Sequence, residues 1–82
     1  MKLVGKVAHF YPKISVAVIE VLDEIKVGDK IAIKGKTTNF EQIVESMQIE
    51  HKQVEKASKG DSVGLKVIER VREGDEVFKI EE

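Results

Sequence analysis

Lys26-Val27-Gly28-Asp29-Lys30-Ile31 sets a Gly-Asp pair directly before an alternating strand. The chain uses the same device twice more, in Ser58-Lys59-Gly60-Asp61-Ser62-Val63 and in Arg72-Glu73-Gly74-Asp75-Glu76-Val77. Glycine reaches positive φ without steric cost, and an aspartate beside it can accept hydrogen bonds from the turn's amides. Gly28, Asp29, Gly60, Asp61, Gly74 and Asp75 therefore read as three structural corners of one barrel. A metal loop would need several converging ligands, and each of these aspartates stands alone in its stretch.

Working outward from these corners, strands account for most of the chain. Leu3 to Tyr11 places Val4, Lys6, Ala8 and Phe10 on one side and Leu3, Val7, His9 and Tyr11 on the other, with Gly5 permitting a close approach or a bulge. Pro12-Lys13 turns it. Ile14 to Val21 is apolar at nearly every position, as in a strand buried on both faces or strongly curved in a small barrel. Leu22 to Asp29 is a connection, and Lys30 to Lys34 is a half-buried strand bounded by Gly35. Phe40 to Glu50 fits either a helical stripe through Ile43 and Met47 or a period-two strand through Ile43, Glu45, Met47 and Ile49; a long bent strand is the preferred reading. His51 to Lys59 suits a loop or one helical turn. Ser62 to Val71 and Glu76 to Ile80 are the closing strands.

Composition agrees. The chain holds 12 Val and 9 Ile against 3 Leu, and β-branched side chains suit a pleated sheet. With 82 residues, 41% hydrophobic and 35% charged, it is long enough for one core and too short for a catalytic domain plus a second module. It is read as a single domain over residues 1–82, with Met1 and the charged Ile80-Glu81-Glu82 expected to be natural termini. The absence of cysteine excludes disulfides, thiolate metal sites and cysteine nucleophiles. No apolar run reaches the roughly 20 residues of a membrane helix and no signal-peptide stretch opens the chain, so a cytoplasmic location is expected. The 12 Lys and 11 Glu beside one Asn and three Gln match the balance of thermophilic proteins.

Taken in order, Val4-Gly5-Lys6-Val7, Ile25 to Ile31, Val44-Glu45-Ser46-Met47-Gln48-Ile49, Val54-Glu55-Lys56-Ala57 with Gly60 to Leu65, and Arg70 to Val77 resemble the β-barrel second domain of the translational GTPases, such as elongation factor Tu. Free-standing translation elongation factor-like proteins are similar, as are the barrels that end collagenase-like peptidases, a family that includes tRNA-hydroxylation factors. The resemblance covers essentially the whole chain. It implies an all-β fold, a single Greek-key barrel of six or seven strands, that is not itself an enzyme. It further implies contact with tRNA, rRNA or the ribosome, and association with a GTPase or a tRNA-modification protein. The segments matching the tRNA-facing part of elongation factor Tu are Gln48 to Lys52 and Gly60 to Gly64. Here Ser62 stands where that factor usually has Asn, and Glu50-His51 where it usually has His-Arg.

The candidate RNA-binding residues are thus Gln48, His51, Lys52, Ser62, Arg70 and Arg72, with Lys34 and Lys36 in an adjoining loop. Phe10-Tyr11 could stack a base or could form core and rim. The formal net charge of −1 limits sequence-independent attraction to phosphate, so any such grip must be local. A protein–protein adaptor that touches no RNA is the alternative reading. Other chemistry finds little support. Gly35-Lys36-Thr37 lacks the earlier glycine of a phosphate loop, since position 30 is Lys30. Asp61-Ser62-Val63-Gly64 matches a GTPase switch motif but sits in a barrel turn. His9 and His51 have no third ligand at metal spacing, and no serine lies in a nucleophile elbow. No catalytic residue, metal or cofactor is expected.

Overall fold

The structure, a computed structural model, describes residues 1–81; Glu82, part of the charged terminus noted above, lies outside them. Ten strands occur among the described residues: β1 (Lys2–Tyr11), β2 (Val16–Val21), β3 (Ile25–Lys26), β4 (Lys30–Lys34), β5 (Asn39–Ile43), β6 (Met47–Ile49), β7 (Lys52–Val54), β8 (Lys56–Ala57), β9 (Ser62–Lys66) and β10 (Glu76–Lys79). Eight form one antiparallel sheet in the order β5-β4-β10-β1-β2-β9-β6-β7, and β3 pairs with β8. The sheet closes on itself covalently. Ile43 ends β5 beside β4, and after three intervening residues Met47 begins β6 beside β9, so one chain segment bridges the two ends.

Counting β5 and β6 as one bent strand gives a six-stranded barrel. Its β4, β5/β6 and β9 follow one another, and β2 lies beside β9, which is Greek-key order. The inward side chains include Val7, Ile19, Ile31, Ile33, Met47, Val63, Leu65 and Val77, all buried. No helix of the described residues is long and apolar enough to cross a membrane.

The three Gly-Asp corners share one geometry. Gly28, Gly60 and Gly74 have φ of 98°, 96° and 91°. In each, the Asp amide donates to the carbonyl three residues back, at 3.0–3.1 Å, closing a type II turn with glycine at its third position. The Asp carboxylate accepts the amide of that same residue: Lys26 to Asp29, Ser58 to Asp61 and Arg72 to Asp75, at 2.8–2.9 Å. Each corner then grips one buried valine by both backbone groups. The glycine amide donates to the valine carbonyl and the valine amide to the Asp carbonyl, joining Gly28-Asp29 to Val44, Gly60-Asp61 to Val21, and Gly74-Asp75 to Val7.

Several expectations are corrected. The strand read from Ile14 begins at Val16, because Ser15 takes a left-handed φ of 54° and belongs to the turn. The simple alternation in β1 fails: bulges near Gly5 and between Val7 and His9 shift the register, so Val4 and Val7 both face inward. Gly5 meets the close-approach reading, since a Cβ there would lie 2.6 Å from Ile19 Cγ2. Ile43 is 48% exposed while Phe40, Gln42, Val44 and Met47 are buried, which overturns both periodicities drawn through Ile43. The inward set changes phase at the corner Val44-Glu45-Ser46. His51 to Lys59 is neither loop nor helical turn throughout, since it contains β7 and β8. The strand from Ser62 ends at Lys66 rather than Val71, because Lys66 and Ile68 turn their backbones to Gln42. Its Nε2 donates to Lys66 O at 2.8 Å, and its Oε1 accepts from Ile68 N at 2.9 Å.

Candidate functional site

Outside the barrel, β2, β9 and β6 lie side by side, and Val18, Gly64 and Gln48 fall in one cross-strand row. Inward positions of β2 are taken by Ala17, Ile19 and Val21, which leaves Val16 and Val18 on the outer face, half-buried. This explains why β2 is apolar at nearly every position: its outer valines floor a cleft. Gly64 opens the floor, for a Cβ there would press Val16 Cγ1 at 3.3 Å. The cleft holds about 390 Å³ and is lined by Tyr11, Ile14, Val16 and Val18 on the apolar side, and by Gln48, Glu50, His51 and Ser62 on the polar side, with Gly64 between.

Local backbone geometry builds its walls. Ile49 pairs with Lys52, so Glu50 and His51 are the two central residues of a tight hairpin. Both have positive φ, 50° and 67°, as a type I′ turn requires. Asn and Gly are the usual occupants of such a turn, and a non-glycine residue there costs about 1–3 kcal/mol. The opposite wall is the β1–β2 turn, which contains Ser15. These three are the non-glycine residues with positive φ among the described residues; Glu50 and His51 line the cleft, and Ser15 lies in the chain between the lining residues Ile14 and Val16. As the central pair of a hairpin rather than successive residues of a strand, Glu50 and His51 both line the cleft.

Of the candidate residues, the fold gathers Gln48, His51 and Ser62 here, and adds Tyr11. Lys52 is exposed on β7 and does not line the cleft. Arg70 and Arg72 line a second cleft of about 400 Å³ with Phe10, Pro12, Val71 and Glu73. Phe10 packs against the core, while Tyr11 is 48% exposed with its ring 4.5 Å from that of His9, edge to face. Sequence reasoning missed Ile14, Val16, Val18 and Gly64 as lining residues. Outward valines in β2 and a glycine inside a strand were the available signals. Gly35 has a packing role instead of a phosphate-binding one: a Cβ there would collide with the Asp75 carboxylate. Among the described residues, no three His, Asp or Glu side chains gather as metal ligands would.

Chemically, the cleft offers an apolar floor and a polar rim on which the Glu50 carboxylate only accepts hydrogen bonds. The Gln48 amide and Ser62 hydroxyl can each donate and accept, and the imidazole of His51 adds another such group. Over 80 residues, 96% of its length, the chain is 52% identical to an uncharacterised protease of Methanocaldococcus jannaschii. Over 80 residues, 95% of its length, it is 36% identical to a collagenase of Porphyromonas gingivalis. It superposes with a TM-score of 0.92, at 21% identity, on the C-terminal domain of a Geobacillus thermoleovorans protein assigned to the U32 peptidases, covering 96% of this chain and 100% of that domain. It is homologous to one segment of these collagenase-like proteins, and it has the fold of a U32 peptidase C-terminal domain. No family model matches the chain. The chain spans 20% of the length of the M. jannaschii protein and 22% of the collagenase, about a fifth of each. These matches bear out the resemblance to the barrels that end collagenase-like peptidases.

Proposed function

We propose that this collagenase-like barrel is a non-catalytic RNA-binding module that works in the cytoplasm with the translation or tRNA-modification machinery, and that its cleft takes an unpaired base of tRNA or rRNA. The observation that carries the reading is the convergence of Gln48, His51 and Ser62 on one apolar-floored cleft. The sequence resemblance to translation-factor barrels selects these residues, and the fold brings them together from β6, the β6–β7 hairpin and β9. An apolar floor bordered by the Tyr11 ring suits a splayed-out base, whose edge Gln48, His51 and Ser62 can read, while the Glu50 carboxylate on the same rim accepts from the base's amino groups and repels phosphate.

The test is a titration of labelled tRNA and small-subunit rRNA fragments with the protein and with Gly64→Val. The valine keeps the strand's propensity and fills the floor, so binding is expected to fall at least tenfold while the circular dichroism of the β-fold is kept. Equal binding by the folded variant would remove the cleft from the account. An adaptor role between proteins is the second reading. It is favoured by the four-fifths of each relative's length that lies outside the match.

A further inference from the structure

The second cleft contains both arginines of the chain, against twelve lysines. A guanidinium binds phosphate through two parallel N–H bonds in a fixed plane, a geometry that lysine cannot supply. Arg70 and Arg72 stand on either side of Val71, which is buried, so the backbone between them is anchored. Arg72 is held further, because its amide donates to Asp75 in the third Gly-Asp corner at 2.9 Å. Both side chains are exposed. Five lysine–carboxylate ion pairs occur among the described residues, and they involve Lys2, Lys26, Lys30, Lys56 and Lys79. Neither arginine is in one. The carboxylate that lines this cleft is Glu73, whose Oε2 lies 3.9 Å from His9 Nδ1.

The two clefts share a wall. Phe10 and Pro12 line the arginine cleft, while Tyr11 and Ile14 line the base cleft, so consecutive residues at the tip of the β1–β2 hairpin face alternate sites. Lys13 sits at the same tip, exposed and in none of the ion pairs. We infer that Arg70 and Arg72 form a phosphate subsite for the same strand whose base enters the Gly64 cleft, so that the ligand is a single-stranded RNA segment lying across the β1–β2 hairpin. This inference rests on the RNA reading above. It narrows the ligand class: a fully paired duplex offers no unstacked base to the Gly64 cleft. It also reconciles specific RNA binding with near-neutral charge, because the phosphate contact is made by two positioned forks rather than by a diffuse field.

The experiment measures the affinity of a short, mixed-sequence single-stranded RNA between about 50 and 200 mM salt, for the wild type, for Arg70→Gln/Arg72→Gln and for Gly64→Val. Each phosphate contact on a single strand contributes about 0.7 to the slope of log affinity against log salt, so losing two is expected to flatten the slope by about 1.4. Gly64→Val is expected to weaken binding with its slope kept. Wild-type binding with an unchanged slope in the double variant would overturn the subsite and leave the RNA reading standing. No binding by the wild type at about 50 mM salt would overturn both.

Discussion

At the scale of single residues, several positions hold conformations or contacts that their neighbours cannot replace. Gly35 lies against the buried Asp75 carboxylate, which is committed to the Arg72 amide, so the carboxylate cannot move aside without losing that bond. Gly35→Ala is expected to cost about 1–3 kcal/mol in urea denaturation. Glu50 and His51 pose the opposite case, since a hairpin of this type favours Asn-Gly. Replacing them with Asn-Gly is expected to raise stability by about 1 kcal/mol and to weaken RNA binding, if the strain is kept because these side chains serve the cleft. Higher stability with unchanged binding would show that the turn residues serve no ligand.

The surface pairs give a pH signature. The Lys2 ammonium, 2.9 Å away, holds the Asp23 carboxyl below its ordinary range, and Lys56, at 2.8 Å, does the same for Glu24. A carboxyl with a lowered folded-state pKa stabilises the fold above its unfolded pKa and loses that contribution as pH falls through the folded one. The melting temperatures of Asp23→Asn and Glu24→Gln are therefore expected to lie slightly below wild type at neutral pH and to meet it in acid. Salt should shrink the difference, because these pairs are exposed.

At the scale of elements, the Gly-Asp corners and the Gln42 amide do the joining. Each corner fixes a buried valine, Val7 in β1, Val21 in β2 and Val44 in the bend between β5 and β6, and alanine at Gly28, Gly60 or Gly74 would have to adopt a left-handed φ, at about 1–2 kcal/mol. Comparable losses at all three sites are expected from equilibrium unfolding. Gln42→Ala would strand the Ile68 amide and the Lys66 carbonyl, and a loss of about 1–3 kcal/mol is expected by the same measurement. These elements also show what was legible beforehand. The corners were readable because their residue types admit few other backbone geometries; Lys30 to Lys34 was readable as a strand but not as half-buried, since Ala32 is buried along with Ile31 and Ile33. The bulges of β1 and the corner at Val44-Glu45-Ser46 were not, since each changes phase within a run whose composition stays the same. In the candidate site, Gln48, His51 and Ser62 were legible through the family resemblance. The valine floor was hidden because an outward valine and an inward one look alike until the partner strands are known.

At the scale of the whole molecule, one segment leaves β5 and enters β6, and so turns an open sheet into a barrel. The same closure sets β6 against β9 and its hairpin over the outer face of β2, which is what makes the cleft. Barrel and site are thus one construction. The direct measurement is an amide-resolved NMR titration of the protein with short single-stranded RNA. Saturable shifts are expected at the amides of Gln48, His51, Ser62 and Gly64, together with Arg70 and Arg72, while the matching RNA duplex leaves them in place. Spectra unchanged by the single strand, or shifts confined to other faces of the barrel, would contradict the account.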